Sequence, residues 1–204
     1  MRGRDIKRYG YDWAGLWLIN THNGVKGKYP RIDIKYYPAI KAHLDSFGTK
    51  VTNRSDQGDT PYNLRNCAYM DDFNKPKIVY PNMTKYLPFV YDEKQFVTNQ
   101  KCFIITGKYT AFLTAFFNSS LFKYCFRDSF PELQGGTREL SKIFFDKIPV
   151  IKVDQETDSK FKALVDDIQK EYTREKAIKI DNIMFDMYGL TEEEKRTIGF
   201  VEIK

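Results

Sequence analysis

Between residues 109 and 126 the chain sets its apolar residues more densely than anywhere else, and at the spacing of a helix face. Tyr109, Phe112, Leu113, Phe116 and Phe117 recur at three- and four-residue steps, the period that lines side chains along one stripe of an α-helix. Asn118, Ser119 and Ser120 interrupt the run. Because Ser and Asn favour caps over helix interiors, the pattern predicts a second helix restarting there with Leu121, Phe122, Tyr124 and Cys125. Just upstream, Cys102 to Thr106 is a short β-rich apolar run closed by Gly107, read as a buried strand feeding the helix pair. Rings at this density need an interior, so the stretch is read as core and is given no chemistry.

A length of 204 residues suits one domain, or one domain with an appendage, and suffices for a sizeable core. Cys67, Cys102 and Cys125 match neither a disulfide framework nor a zinc spacing. No apolar run approaches bilayer length, and residues 1–5 have no signal-peptide h-region behind them, so a cytoplasmic location is expected. Net charge is +6, unevenly spread: residues 1–108 hold 18 Lys and Arg against 10 Asp and Glu, residues 109–204 hold 15 against 17. Any polyanion-binding surface is therefore expected in the N-terminal half.

Arg2-Gly3-Arg4-Asp5-Ile6-Lys7-Arg8-Tyr9 opens on polar residues with no cap before them, as a piece of a longer protein would. Residues 14–20 read as an interior strand, with Trp17 and Ile19 on one face and Leu16 and Leu18 on the other. A Gly-punctuated loop carrying Lys26 and Lys28 follows. Pro38 starts a helix with Ile40, Leu44 and Phe47, stopped by Gly48. Residues 50–65 are turn-rich, and a short amphipathic turn spans 68–73. Residues 77–81 form a strand, 89–91 and 95–98 a hairpin about 92–94, and the strand at 102–106 completes an antiparallel meander. Past a basic-tipped loop at 134–138, a short helix at 140–145 and an extended exit at 148–151, the character turns helical, with Phe161, Leu164, Val165 and Ile168 on one helix and Ile180, Ile183, Met184 and Met187 on the next. The expected fold is thus α+β: a mixed, mainly antiparallel sheet packed with aromatic-rich helices and followed by a helical tail. Its division is into residues 1–153 and a near-neutral extension, 154–204, expected to be dispensable for contact with DNA.

Catalytic constellations are not found. There is no Gly-rich phosphate loop or metal-ligand cluster, His22 and His43 lack partners at motif spacing, and Thr60-Pro61-Tyr62 shares only two letters with the Asn/Asp-Pro-Pro-Tyr signature of amino-methyltransferases. Asp12, Asp33 and Lys35 can be drawn as a metal-dependent nuclease, a pattern short enough to arise by chance.

Arg2-Gly3-Arg4-Asp5-Ile6, the helix from Pro38 to Leu44, Thr60-Pro61-Tyr62-Asn63-Leu64-Arg65, Lys77-Ile78-Val79-Tyr80-Pro81, Leu113 to Leu121 and Ile148-Pro149-Val150 occur in the order and spacing of a known family. Over residues 2–152 the chain resembles the TaqI-like C-terminal specificity domain. Residues 180–194 are similar to the helical tail that follows such domains. The resemblance implies the target-recognition part of a type II or IIG restriction-modification enzyme that methylates adenine, with or without a fused nuclease. Its partners would be double-stranded DNA and an upstream methyltransferase domain in the same polypeptide, with no membrane. Its cofactors, S-adenosylmethionine and magnesium where a nuclease is present, would lie outside this chain, whose own catalytic, cofactor and metal residues are none. Lys26, Lys28 and Lys85 are assigned to phosphates. Arg65, with Thr60 and Asn63, and Arg138, with Gln134 and Thr137, are assigned to base edges. Arg2, Arg4, Lys7 and Arg54 complete the set. A protein-interaction module with an incidental basic face, and a stand-alone nuclease, remain as alternatives.

Overall fold

The structure, a computed structural model, describes residues 1–201. Its strands in chain order are β1 (Ile6–Lys7), β2 (Gly10–Tyr11), β3 (Lys77–Pro81), β4 (Met83–Thr84), β5 (Val90–Asp92), β6 (Cys102–Thr106) and β7 (Arg138–Glu139). The helices are α1 (Pro38–Asp45), α2 (Thr49–Thr52), α3 (Thr110–Asn118), α4 (Ser120–Phe126), α5 (Lys142–Phe145), α6 (Gln155–Lys170), α7 (Arg174–Met187) and α8 (Glu192–Ile198). The fold is mixed α+β, with antiparallel pairing in each small sheet and helices toward the C-terminus. Two compact units divide the chain, one made of Met1–Leu16 and the chain from Asp72 onward, the other of Trp17–Asp71. The helices after residue 154 share the first unit's core, α6 packing along α3 and α7 against α4.

The first unit is built on a three-stranded sheet of order β5-β3-β6. All five residues of β3 are buried, as its central place requires. They include Lys77, whose ammonium pairs with the buried Asp92 carboxylate at 2.6 Å and donates to Phe73 O at 2.7 Å. The outer edge by β5 is closed by two side-chain amides. Phe89 N donates to Asn118 Oδ1 and Asn118 Nδ2 to Phe89 O, while Tyr91 N donates to Gln169 Oε1 and Gln169 Nε2 to Tyr91 O, all at 2.7–3.1 Å. Each amide stands in for one residue of a missing strand, which removes the open edge and ties α3 and α6 to the sheet.

The kinked helix pair forms as the sequence predicts. Ser119 leaves the helical conformation, its Oγ accepts from Phe122 N at 3.1 Å, and α4 restarts on that cap. Phe112, Phe116, Phe117 and Phe122 are buried. Phe116 stacks on Tyr188 at 5.7 Å between ring centres and meets Phe122 edge-on at 5.4 Å. Phe130 and Phe145 close the cluster at 5.0 Å from each other.

Two expectations fail here. Residues 95–98 do not pair with β5, because the Asp92 carboxylate accepts from Lys94 N at 2.7 Å and Phe96 N at 2.9 Å and winds the chain back on itself. Both β5 and β6 pair with β3 instead. Residues 14–20 form no strand: Gly15 at φ +69° breaks the extended run, and Leu16 and Trp17 are 59% and 87% exposed.

The second unit is organised differently. Its buried residues among those described are Thr21 and Asn63, both polar, and Ile40, Leu44 and Phe47 of the expected apolar helix face are half-buried or exposed. Asn63 takes the place of a core: Nδ2 donates to Ile32 O at 2.9 Å and His22 O at 3.3 Å, and Oδ1 accepts from Thr60 Oγ1 at 2.6 Å. Thr21 Oγ1 donates to Tyr62 O at 2.7 Å and Leu64 N to Thr21 O at 2.8 Å. A crosslink of hydrogen bonds thus holds three loop segments together.

Beneath the helix pair lies a buried charge cluster. Arg8 donates from Nε to Asn118 O at 3.0 Å and pairs through Nη2 with Asp181 at 3.6 Å, while Asp181 accepts from Ser120 N at 2.9 Å and Ser120 Oγ at 2.6 Å. Lys123, only 7% exposed, has no hydrogen-bond partner for its Nζ. Burial, reinforced by Arg8, pushes its ammonium well below the usual lysine range against the weaker pull of Asp181.

Two substitutions in this unit should act in opposite directions. Phe116→Ala should destabilise by about 3–5 kcal/mol. Lys123→Met should stabilise at pH 7 by about 1–4 kcal/mol, as when buried ionic groups give way to apolar ones of similar volume. Because the lysine pKa is lowered on folding, the unfolded chain binds the extra proton, so the wild type gains stability as pH rises toward the unfolded value of about 10.4. Denaturant melts between pH 7 and 10 should show the variant's advantage shrinking with pH; a constant difference would contradict this.

Candidate nucleic-acid interface

A groove of 1200 Å³ runs across the first unit between the β1–β2 hairpin, the β3–β4 turn and the end of α6. Arg2, Arg4, Lys7, Arg8, Lys85 and Lys101 all line it, and among the described residues Asp12 is the one carboxylate that does. A cleft lined by one sign of charge focuses its field on an incoming counter-charge. Arg4, Lys85 and Lys101 are exposed and make no ion pair among the described residues. Lys7 pairs with Asp12 at the rim. Arg2 is held against the buried Asp5 at 2.7 Å, and this hydrogen bond keeps the Asp5 carboxyl below the usual range. The turn carrying these residues lies close on the sheet because residue 3 is glycine: a Cβ there would come within 3.0 Å of Lys101 O.

The groove thus gathers Arg2, Arg4, Lys7 and Lys85, four assigned residues up to 83 positions apart. It also takes in two cations that sequence reasoning missed, Arg8 and Lys101. Arg8 was legible in principle, since alternation from Ile6 sends it to the buried side of the run. Ile168, Gln169 and Tyr172 line it as well. These three residues belong to the helical extension, which therefore contributes to the groove's lining.

Arg138 serves another purpose. It is 7% exposed, donates to Phe130 O at 2.8 Å and pairs with Asp128 and Glu132 at 2.8 Å each, pinning β7 to the preceding 128–132 segment. Three internal acceptors leave no free fork for a base edge. The neighbouring Thr137 Oγ1 donates to Gln134 O at 2.9 Å, and Gln134 is exposed.

In the second unit the assigned residues separate in the same way. Arg54 donates through Nη2 to Asn63 O at 2.6 Å and to Pro61 O at 3.2 Å, and Thr60 and Asn63 bond each other, so these three shape the loop. Lys28 pairs with Asp71. Lys26 and Arg65 are exposed on the surface that this scaffold presents and make no ion pair among the described residues. Gly24 is required there, at φ +77° with its α-carbon against the backbone of residues 29–31.

Among the described residues, no group of three or more His, Cys, Asp or Glu side chains is placed to hold a metal ion. Asp33 of the nuclease pattern pairs with Lys35 at 2.8 Å, and Asp12 belongs to the other compact unit. No helix of the described residues is long and apolar enough to cross a membrane.

The chain is thus an α+β module that carries a cation-lined groove in one unit and a basic loop in the other. The family model of the TaqI-like C-terminal specificity domain matches residues 1–150, and the chain belongs to that family. No curated protein matches it closely enough to name a relative.

Asn63→Ala should open the second unit while sparing the first. Amide exchange at residues 21–66 should accelerate at least tenfold, with residues 77–122 unchanged. Equal protection in both proteins would show that the Asn63 hydrogen bonds do not hold the loops.

Proposed function

We propose that this chain is the DNA-recognition part of a restriction-modification enzyme that methylates adenine, reading a duplex for a catalytic part of the same polypeptide. The observation carrying this is the groove, in which cations from both ends of the basic half converge with Asp12 as the one carboxylate among the described residues. Membership of a specificity-domain family points the same way. On this reading Arg4, Lys7, Lys85 and Lys101 neutralise backbone phosphates and fix register. Arg65, a planar fork on a loop stiffened by Asn63 and Arg54, reads a base edge. Lys26 adds a phosphate contact beside it. S-adenosylmethionine, and magnesium where a nuclease is fused, belong to the catalytic part. The sequence of this chain has no Asn/Asp-Pro-Pro-Tyr motif.

Selection from a random duplex pool should return an enriched site. On that site Arg65→Ala should cost about 1–3 kcal/mol, and much less on random duplex. Lys85→Ala should weaken all sequences and lower the salt slope by about one. A pool without enrichment at moderate salt, or equal losses by Arg65→Ala on both duplexes, would overturn the specificity reading.

A further inference from the structure

Tyr172 lies beyond the residues that the family model matches, in the short connection between α6 and α7. It lines the same groove as Lys7 and Lys85, and it is 45% exposed. The chain on either side of it is held by hydrogen bonds. Thr173 caps α7 by accepting from Lys176 N, and Lys176 Nζ donates to Asp167 O and Glu171 O at 3.2 Å each.

From within, Arg8 Nη1 donates to the Tyr172 hydroxyl at 3.3 Å. A phenol oxygen that accepts from a guanidinium, which has no acceptor of its own, must direct its proton elsewhere. That O–H has no acceptor among the described residues, and the Tyr172 side chain lines the groove. Arg8 is buried and permanently charged, so the hydroxyl is polarised toward donating and is presented to a surface where the other side chains select an anion.

We propose that Tyr172 is a phosphate-binding residue of this groove, a neutral hydrogen-bond donor aimed by Arg8, and that the DNA-contacting surface extends past the specificity domain into the helical extension. The proposal rests on the groove binding DNA. It differs from the lysine contacts in a measurable way, since a neutral donor adds affinity without releasing a counterion.

The test uses the full chain, a mixed-sequence duplex and binding isotherms across a range of salt. Tyr172→Phe should weaken binding about 3–10-fold at every salt concentration with the slope unchanged, whereas Lys85→Ala should lower the slope by about one. A scan with single methylphosphonate linkages should find one position whose neutralisation weakens the wild type but not Tyr172→Phe. This reading is independent of any change in overall stability. If wild type and Tyr172→Phe lose equally at every linkage, or if Tyr172→Phe binds like wild type while Lys85→Ala does not, the role of Tyr172 is refuted and DNA binding stands. If the wild type itself fails to bind duplex, the underlying reading falls, and this inference with it.

Discussion

The Arg8 guanidinium is the point at which core, helical extension and groove meet. It joins Asn118 O at the end of α3, Asp181 on α7, the Tyr172 hydroxyl and Val201 O, the last at 3.0 Å. Ser120 completes the cluster, its hydroxyl donating to Asp181 and accepting from Val201 N at 2.8 Å. Breaking such a buried pair by removing one partner leaves an uncompensated charge, typically about 3–5 kcal/mol, far more than the intact pair contributes. Arg8 therefore constrains geometry more than it adds stability. The wall of the groove made by residues 168–172 has a fixed distance from the β1–β2 hairpin because both are fastened to this one side chain and to the sheet edge that Asn118 and Gln169 close.

The two compact units solve the problem of order by opposite means. In the first, about a dozen aromatic rings interlock around Phe116 and Phe122, and burial of apolar area supplies the stability. In the second, a side-chain amide and a threonine hydroxyl are the buried groups, and hydrogen bonds worth about 1 kcal/mol each hold the loops. A segment stabilised in that way opens at lower free energy than an aromatic core.

The helix pair, the strands at 77–81 and 102–106 and the cap at Ser119 were legible because each rests on local spacing and local hydrogen bonding. The failures share a cause as well. The run at 14–20 alternates like a strand, but Gly15 and the lack of a pairing edge decide its conformation, and pairing is non-local. Residues 95–98 alternate too, yet a buried aspartate recruited by Lys77 winds them into a turn. At the interface, charge type alone chose Arg138 and Arg54. Only the fold reveals that Asp128, Glu132 and two backbone carbonyls of the 61–63 loop consume them. Convergence of Arg4, Lys7, Lys85 and Lys101 on one groove was invisible in a sequence that scatters them.

That convergence is the centre of the account, and lysine footprinting tests it most directly. With the intact chain, acetylation of each lysine would be compared with and without excess duplex at moderate salt. Lys7, Lys85 and Lys101 should be protected together, and Lys142 and Lys160, outer cations paired to Asp146 and Glu156 away from the groove, should react as before. Uniform reactivity, or protection confined to lysines outside the groove, would contradict the assignment of this surface to DNA.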